Sequence, residues 1–263
     1  MKEEPPKRKP SKYNSDYFEK VEKAFDKPFE TAKTINEIQF ALSLNPEFRG
    51  AQDVGWCTAS ETFVAFDEYL DFINKMEQSR MRIRIALSFY CHLSEASGFY
   101  EIPKNMLRVI DGSNYSMWPF QDIVKKHNDT GKIITPNSNK IMRNIIGHAE
   151  AIGMHEVAEV FKEAFDSDIR NAYSHADYII WGDGLRIRFR NGGYPKEISW
   201  EDFSDIFDRG INFFNILKAK VDECLRTYHP AKTIDGQLNN EPKGKWKIEY
   251  DPRSGGFSIS THS

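Results

Sequence analysis

The sequence predicts a mainly α-helical protein with a small β-hairpin late in the chain and a second β-hairpin near its C-terminus. Apolar residues recur at helical spacing over long stretches, as at Phe63, Phe66 and Leu70. Strict alternation of apolar and polar residues, which is typical of strands, occurs in Leu185 to Arg190 and in Trp246 to Tyr250. Strands and helices are not interleaved and no Gly-rich phosphate loop follows a strand, so we expect no parallel sheet.

The composition is that of a globular protein. Hydrophobic residues make up 40% of the 263 residues, which is enough for a sizeable core. The formal net charge of -3 argues against a basic coat for nucleic acid, although it permits a local basic groove. Cys57, Cys91 and Cys224 form no CxxC pair and no zinc spacing, which favours a reducing compartment. The first residues lack the apolar stretch of a signal peptide, and no apolar run approaches the roughly 20 residues of a membrane span. We therefore expect a cytoplasmic protein without a metal, a cofactor or a membrane partner.

The chain divides by composition into a tail, helical parts and a terminal hairpin. We expect a disordered tail at residues 1–15, an N-terminal helical segment at 16–57, a helical domain at 58–230 and the C-terminal hairpin at 241–263. The tail is rich in Pro, Lys and Glu. Within the second segment, the helical pattern from Asp16 to Leu44 ends at Asn45-Pro46, because the residue before a proline disfavours the helical conformation.

The first half of the helical domain contains one ambiguous element. A helix begins near Thr58, for which Ser60 is the expected N-cap. The stretch from Arg80 to Leu93 starts with a strand period, but its length favours a helix. Short helices are expected near Lys104–Ile110 and Pro119–His127.

In the second half of the helical domain, the sequence indicates where most helices begin and end. Asn137 or Ser138 caps a helix that runs to about Ile152, and another helix runs from Met154 to Phe165. Ser167 or Asp168 caps the next helix. The strand from Leu185 to Arg190 turns back at Glu197 to Ser199, and Ser199 with Asp202 then opens a long helix as a capping box.

The helix after residue 167 carries the residues most suited to chemistry. Arg170 is followed by Asn171 and, after three further residues, by His175. A guanidinium can hold a phosphate bidentately, an amide can donate to the same oxyanion, and an imidazole can move a proton near neutral pH. On a helix, Asn171 and His175 lie about 40° apart and Arg170 and His175 about 140° apart. The long arginine side chain could reach the same phosphate, so we expect these three residues to cleave a phosphodiester without a metal.

The same pattern occurs once more, two helices earlier. Arg143-Asn144 is followed by His148, as Arg170-Asn171 is followed by His175. A decayed duplication of a helical unit and a coincidence both explain the repetition.

The Arg-Asn-x-x-x-His pattern on a late helix resembles the signature of HEPN domains. This resemblance implies an α-helical bundle that dimerises, so that the motif helices of two copies form one composite site. It further implies a metal-independent endoribonuclease that leaves a 2′,3′-cyclic phosphate, with Arg170, Asn171 and His175 as catalytic residues. The partners that the resemblance implies are RNA, a second copy of the chain, and an antitoxin or regulator, and the implied biological role is defence or toxicity. Some HEPN toxins carry a tyrosine two residues after the histidine that a partner enzyme modifies; Asp177 occupies that position here.

Purely structural roles for the same residues remain open beside the catalytic one. Arg170 could pair with Asp166 or Asp168 to hold the helix start, and His175 could be a buried core histidine; the protein would then be a non-catalytic helical scaffold. Glu95 could orient the arginine or be an ordinary surface carboxylate. Three basic residues are either an RNA-binding strip or a solvated strand face, namely Arg186, Arg188 and Arg190.

Overall fold

The computed structural model describes residues 12–46, 51–52, 57–189, 192–238 and 242–261. This part of the chain is mainly helical and contains small antiparallel sheets, which confirms the predicted fold class at that level. The helices are α1 (Lys12–Ile35), α2 (Glu37–Ser43), α3 (Thr58–Lys75), α4 (Arg80–Ser94), α5 (Ser97–Ile110), α6 (Ser138–Ala151), α7 (His155–Ala164), α8 (Ser167–Ser174) and α9 (Trp200–Arg226). None of them combines the length and the apolar character needed to span a membrane.

The strands form three sheets within the described residues. They are β1 (Ala51–Gln52), β2 (Lys125–Lys126), β3 (Ile133–Ile134), β4 (Tyr178–Ile180), β5 (Gly184–Ile187), β6 (Lys196–Ser199), β7 (Lys232–Gly236), β8 (Gly244–Asp251) and β9 (Gly256–Thr261). The sheet orders are β1-β9-β8-β7, β2-β3 and β4-β5-β6, and all neighbours are antiparallel.

Both late hairpins belong to larger sheets than the sequence predicts. The predicted hairpin after the motif helix is β5 with β6, and β4 adds a third strand on the other side of β5. The C-terminal hairpin is β8 with β9, and β7 and β1 extend it at its two edges. The three added strands have at most 5 residues each and lie at sheet edges, where pairing with a neighbouring strand decides the conformation more than their own sequence does.

The N-terminal helical segment differs from its prediction in two places. The continuous helix expected from Asp16 to Leu44 is interrupted at Asn36, whose backbone is extended (φ -156, ψ 96) and whose side chain caps α2 by accepting from the Gln39 N–H. Helix α1 also begins at Lys12, within the predicted tail, while residues 1–11 lie outside the described residues.

Some of the N-cap residues predicted from the sequence are confirmed and one is not. Asn137 caps α6, and Ser199 accepts from the Asp202 N–H at 3.0 Å at the start of α9, both as predicted. Ser60 was wrong as the cap of α3, because the helix begins at Thr58 after Cys57, which makes no side-chain cap. The ambiguous stretch from residue 80 is helix α4, capped by Ser79.

Between residues 97 and 134, the first helix is longer than predicted and the second is much shorter. The predicted short helix from Lys104 to Ile110 is the second half of α5. The predicted helix at Pro119–His127 is limited to a 3₁₀ turn at Gln121–Ile123, after which the chain enters strand β2.

The buried apolar residues form two clusters that share the long helix α9. The main cluster joins α1, the middle helices and the C-terminal sheet, and extends from Tyr17 to Phe257. The second cluster packs Ile169 and Ala172 of α8 against α4, the β4-β5-β6 sheet and the start of α9. Between them, Gly210 brings α9 close to two aromatic rings, since a Cβ there would lie 2.9 Å from Tyr90 and 3.0 Å from Phe165. The fold therefore gives the motif helix a small core of its own.

Candidate functional site

The start of α8 is fixed by Asp166, one residue before the predicted caps. Its carboxylate accepts from the N–H groups of Asp168 and Ile169, and its own N–H donates to the Tyr90 hydroxyl at 2.6 Å. Lys196 of β6 lies 2.9 Å from a carboxylate oxygen of both Asp166 and Asp168. Burial lowers the pKa of Lys196, but its hydrogen bonds to these two carboxylates outweigh that effect and raise the pKa. The first amides of α8 are thus already bound within the chain.

Arg170 points into the protein. Its side chain is only 7% exposed, and its Nε lies 3.3 Å from Oε1 of Glu95, at the end of α4. Its Nη1 donates to Ser138 Oγ at the start of α6, and that hydroxyl also contacts Glu95 Oε1 at 3.1 Å. Asp166 and Asp168, the partners considered from the sequence, pair with Lys196 instead. Of the two roles that sequence leaves open for Glu95, orienting the arginine is the one found.

Asn171 is held by Arg170 but faces outward. The third guanidinium nitrogen, Nη2, donates to Asn171 Oδ1 at 2.7 Å. Because Arg170 engages the amide oxygen, the NH₂ group of the exposed Asn171 side chain is the part that can donate to another molecule. The arginine therefore orients an amide donor rather than presenting its own guanidinium to solvent.

His175 is exposed at the C-terminal end of α8, which excludes its interpretation as a buried core histidine. Its N–H donates to the Asn171 carbonyl at 3.0 Å, so both residues lie along one edge of the helix. The next residue, Ala176, has φ 55, in the left-handed region that favours glycine. Two hydrogen bonds close this helix end, Asp177 N–H to Ala172 O at 2.8 Å and Ala176 N–H to Tyr173 O at 3.1 Å. The backbone directly after the candidate histidine is therefore strained, and the N–H groups of both following residues are hydrogen-bonded to α8.

The second copy of the pattern is built differently. Arg143 is exposed and its Nε donates to the Asn139 carbonyl of its own helix. The side chain of His148 is 15% exposed, with Nδ1 3.1 Å from the buried Lys104 Nζ and Nε2 3.4 Å from Asp111 Oδ2. Burial, with Lys104 nearby, lowers the pKa of His148. The two patterns share a spacing but place their side chains in unlike surroundings.

One cysteine, Cys91, contacts the backbone of α8. The buried Cys91 thiol is 3.9 Å from the Arg170 carbonyl oxygen. Burial raises the pKa of Cys91 to about 12, although Arg170 partly offsets this. A thiol of that pKa remains protonated at neutral pH and does not serve as a nucleophile.

The basic residues of the predicted RNA-binding strip, Arg186, Arg188 and Arg190, do not share one environment. Arg186 stacks on Trp181, with its guanidinium carbon 4.9 Å from the ring centroid, and lies 3.4 Å from Asp183 and 3.7 Å from Glu197. Arg188 is exposed, and its N–H donates to the Asp177 carbonyl at 2.9 Å, which places it next to the end of α8. Arg190 lies outside the described residues. Arg188 is thus the member of the strip whose exposure and position suit contact with an anion near His175.

Within the described residues, no three His, Cys, Asp or Glu side chains are grouped so as to hold a metal ion. Comparison with known proteins gives no match for this chain among family models, curated proteins or solved structures. The site must therefore be judged on its own geometry.

Sequence reasoning missed Ser138 as a partner of Arg170 and Glu95. It considered this serine as a helix cap, whereas Asn137 takes that role and Ser138 bonds both Arg170 and Glu95. The only signal in the sequence was a choice of two neighbouring polar residues at a helix start, which leaves the second free to face elsewhere.

Proposed function

We propose that the protein is a metal-independent endoribonuclease of HEPN type, in which two copies of α8 together form one active site. The observation that carries the proposal is the pairing of an outward-turned Asn171 with an exposed His175 on one edge of α8, above an arginine that fixes the asparagine.

The reaction needs a base and an acid. His175 of one copy removes the proton from a ribose 2′-hydroxyl, whose oxygen attacks the adjacent phosphorus. The bond from phosphorus to the 5′-oxygen breaks, and the same histidine of the second copy protonates that oxygen. The products are a 2′,3′-cyclic phosphate and a 5′-hydroxyl, and no water or metal is consumed. Since one His175 cannot act as base and acid in the same step, two copies are required.

Arg170 has a different task from the one the sequence suggests. All three of its guanidinium nitrogens are engaged by Glu95, Ser138 and Asn171, so it acts as a positioning residue in the free chain. Asn171 donates to the phosphate oxygen as charge develops on it, and the nearby positive charge of Arg170 supports that negative charge.

The test compares two exposed histidines. Purified wild type, His175→Ala and His155→Ala are incubated with a mixed RNA substrate in excess chelator, and the termini of the products are identified. We expect His175→Ala to lose activity by about 10²-fold or more and His155→Ala, exposed at the start of α7, to retain it. Equal activity of wild type and His175→Ala, or products that lack a cyclic phosphate, would contradict the proposal.

A second candidate function is a non-catalytic helical scaffold. It is favoured by the burial of Arg170 and by its ion pair with Glu95, since a catalytic arginine is normally available to its phosphate. The same assay separates the two candidates, because the scaffold predicts no RNA cleavage by any of the three proteins.

A further inference from the structure

Glu95 also lines a cavity to which Arg170 does not contribute. It has a volume of about 570 Å³, and its walls come from the start of α3, the junction of α4 with α5, the 3₁₀ turn and the β2-β3 hairpin. Sites for small organic molecules generally have volumes of this order. Neither the sequence motif nor the proposed reaction uses this cavity, apart from the shared Glu95.

The charged side chains of the cavity are acidic. Glu95 and Glu101 line it, and its described lining contains no lysine or arginine. Arg170 offsets part of the charge of Glu95 through its contact with Oε1. No described residue hydrogen-bonds to Oε2 of Glu95, so this oxygen can accept a hydrogen bond from within the cavity.

A histidine adds a second acceptor. His92 lines the cavity, and its Nε2 is buried without a hydrogen-bond partner among the described residues. Burial lowers the pKa of His92, against the opposing effect of Glu61, so the ring is neutral at pH 7. Burying a polar atom without a partner costs free energy, which a ligand that hydrogen-bonds to this nitrogen would recover.

The remaining wall is apolar and partly aromatic. Trp118, Phe120, Ile133 and Pro136 contribute to it. Trp118 and Ile133 are 52% and 62% exposed, which is unusual for large apolar side chains. An aromatic face next to carboxylates attracts organic cations through the ring quadrupole as well as through charge.

We propose that this cavity binds a small organic cation in which an amidinium, guanidinium or ammonium group is attached to a flat apolar body. The cationic group lies between Glu95 Oε2 and Glu101, one of its N–H groups donates to His92, and the apolar body packs on Trp118 and Phe120. The proposal concerns binding alone and does not depend on the proposed nuclease activity.

Three probes of nearly equal shape test the proposal by calorimetry on the full chain at pH 7.5. They are benzamidine, the neutral benzamide and the anionic benzoate. We expect benzamidine to bind at least about tenfold more tightly than benzamide, the factor supplied by one charge-assisted hydrogen bond, and benzoate not to bind. Equal binding of benzamidine and benzamide, or no saturable binding of benzamidine at millimolar concentration, would overturn the proposal.

Variants place the bound probe in this cavity. Glu101→Gln keeps the shape of the side chain and should weaken benzamidine by about tenfold while leaving benzamide unchanged. Trp118→Ala should weaken both probes, and Glu77→Gln, an exposed glutamate elsewhere, should change neither. Thermal melting of each variant checks that the fold is intact. Unchanged benzamidine binding in folded Glu101→Gln would show that the probe binds elsewhere and would refute the assignment.

Discussion

Arg170 and Glu95 form an ion pair whose two side chains differ in environment: the guanidinium is 7% exposed and the carboxylate 49% exposed, with 3.3 Å between Nε and Oε1. The pair ties the middle of α8 to the end of α4, and Ser138 adds the start of α6. Three helices thus meet at one guanidinium.

Glu95→Gln should destabilise the protein. The substitution leaves the charge of Arg170 buried with only neutral partners, and we expect a loss of about 1–2 kcal/mol in the free energy of unfolding. The estimate is at the low end for a broken buried pair because water reaches Glu95. Urea denaturation of wild type and variant measures it. Glu150→Gln, which breaks an exposed pair with Lys162, is the control and should cost less than about 0.5 kcal/mol. Equal losses in both variants would show that the buried pair has no special weight.

Ala176→Gly should stabilise the protein. Ala176 adopts φ 55, a conformation that costs a residue with a Cβ about 1 kcal/mol more than glycine. The same substitution at Ala219, exposed within α9, should destabilise by about 1 kcal/mol, because glycine is a poor helix former. Thermal or urea unfolding of both variants gives the opposite signs. A loss of stability in Ala176→Gly would contradict the left-handed backbone at this position.

Stability should fall as the pH decreases through the range below 6.5. Burial lowers the pKa of His92 and of His148 from the ordinary value of 6.5 in the folded protein. The unfolded chain then binds more protons in that range, so the free energy of unfolding is highest above 6.5 and is lost as the pH falls through the lowered values.

Urea denaturation at a series of pH values between about 7.5 and 5 follows this loss. The double variant His92→Gln/His148→Gln should show a flatter pH profile than wild type, and exposed His155→Gln should keep the wild-type profile. An unchanged slope in the double variant would assign the pH dependence to other groups.

Arg188→Glu should weaken RNA binding more than Arg186→Glu. Arg188 is exposed beside the end of α8, whereas Arg186 is already engaged by Trp181, Asp183 and Glu197. This expectation rests on the proposed function. Binding to single-stranded RNA is measured at several salt concentrations in His175→Ala, which prevents cleavage. Loss of one phosphate contact should reduce the magnitude of the salt slope by about 0.7. If Arg188→Glu binds RNA as the parent does, the residue lies outside the RNA site.

Local features of the fold could be predicted from the sequence where one residue determines them. Asn137 and Ser199 are helix caps because their side-chain oxygens satisfy nearby amides, and this depends on few neighbours. The break at Asn36 was missed because apolar residues continue at helical spacing on both sides of it. Strand β1 was missed because its two residues are ordered by pairing with β9, at the other end of the chain.

The surroundings of the three motif residues could be predicted only in part. The exposure of His175 and Asn171 on one edge follows from helical periodicity, once the helix is known. The burial of Arg170 does not, because Glu95 and Ser138 come from other helices and nothing within α8 indicates them.

The motif helix is only 8 residues long. Isolated helices of this length are hardly populated in water, so α8 takes its shape from Tyr90, Lys196 and the residues around Arg170. The motif therefore depends on its setting: in a foreign helix, the same residues would lack the contacts that form α8 and that hold Arg170 against Asn171. If the proposed function holds, random mutagenesis should return inactivating changes at α4, α6 and β6, which are distant from the motif in sequence although they contact α8.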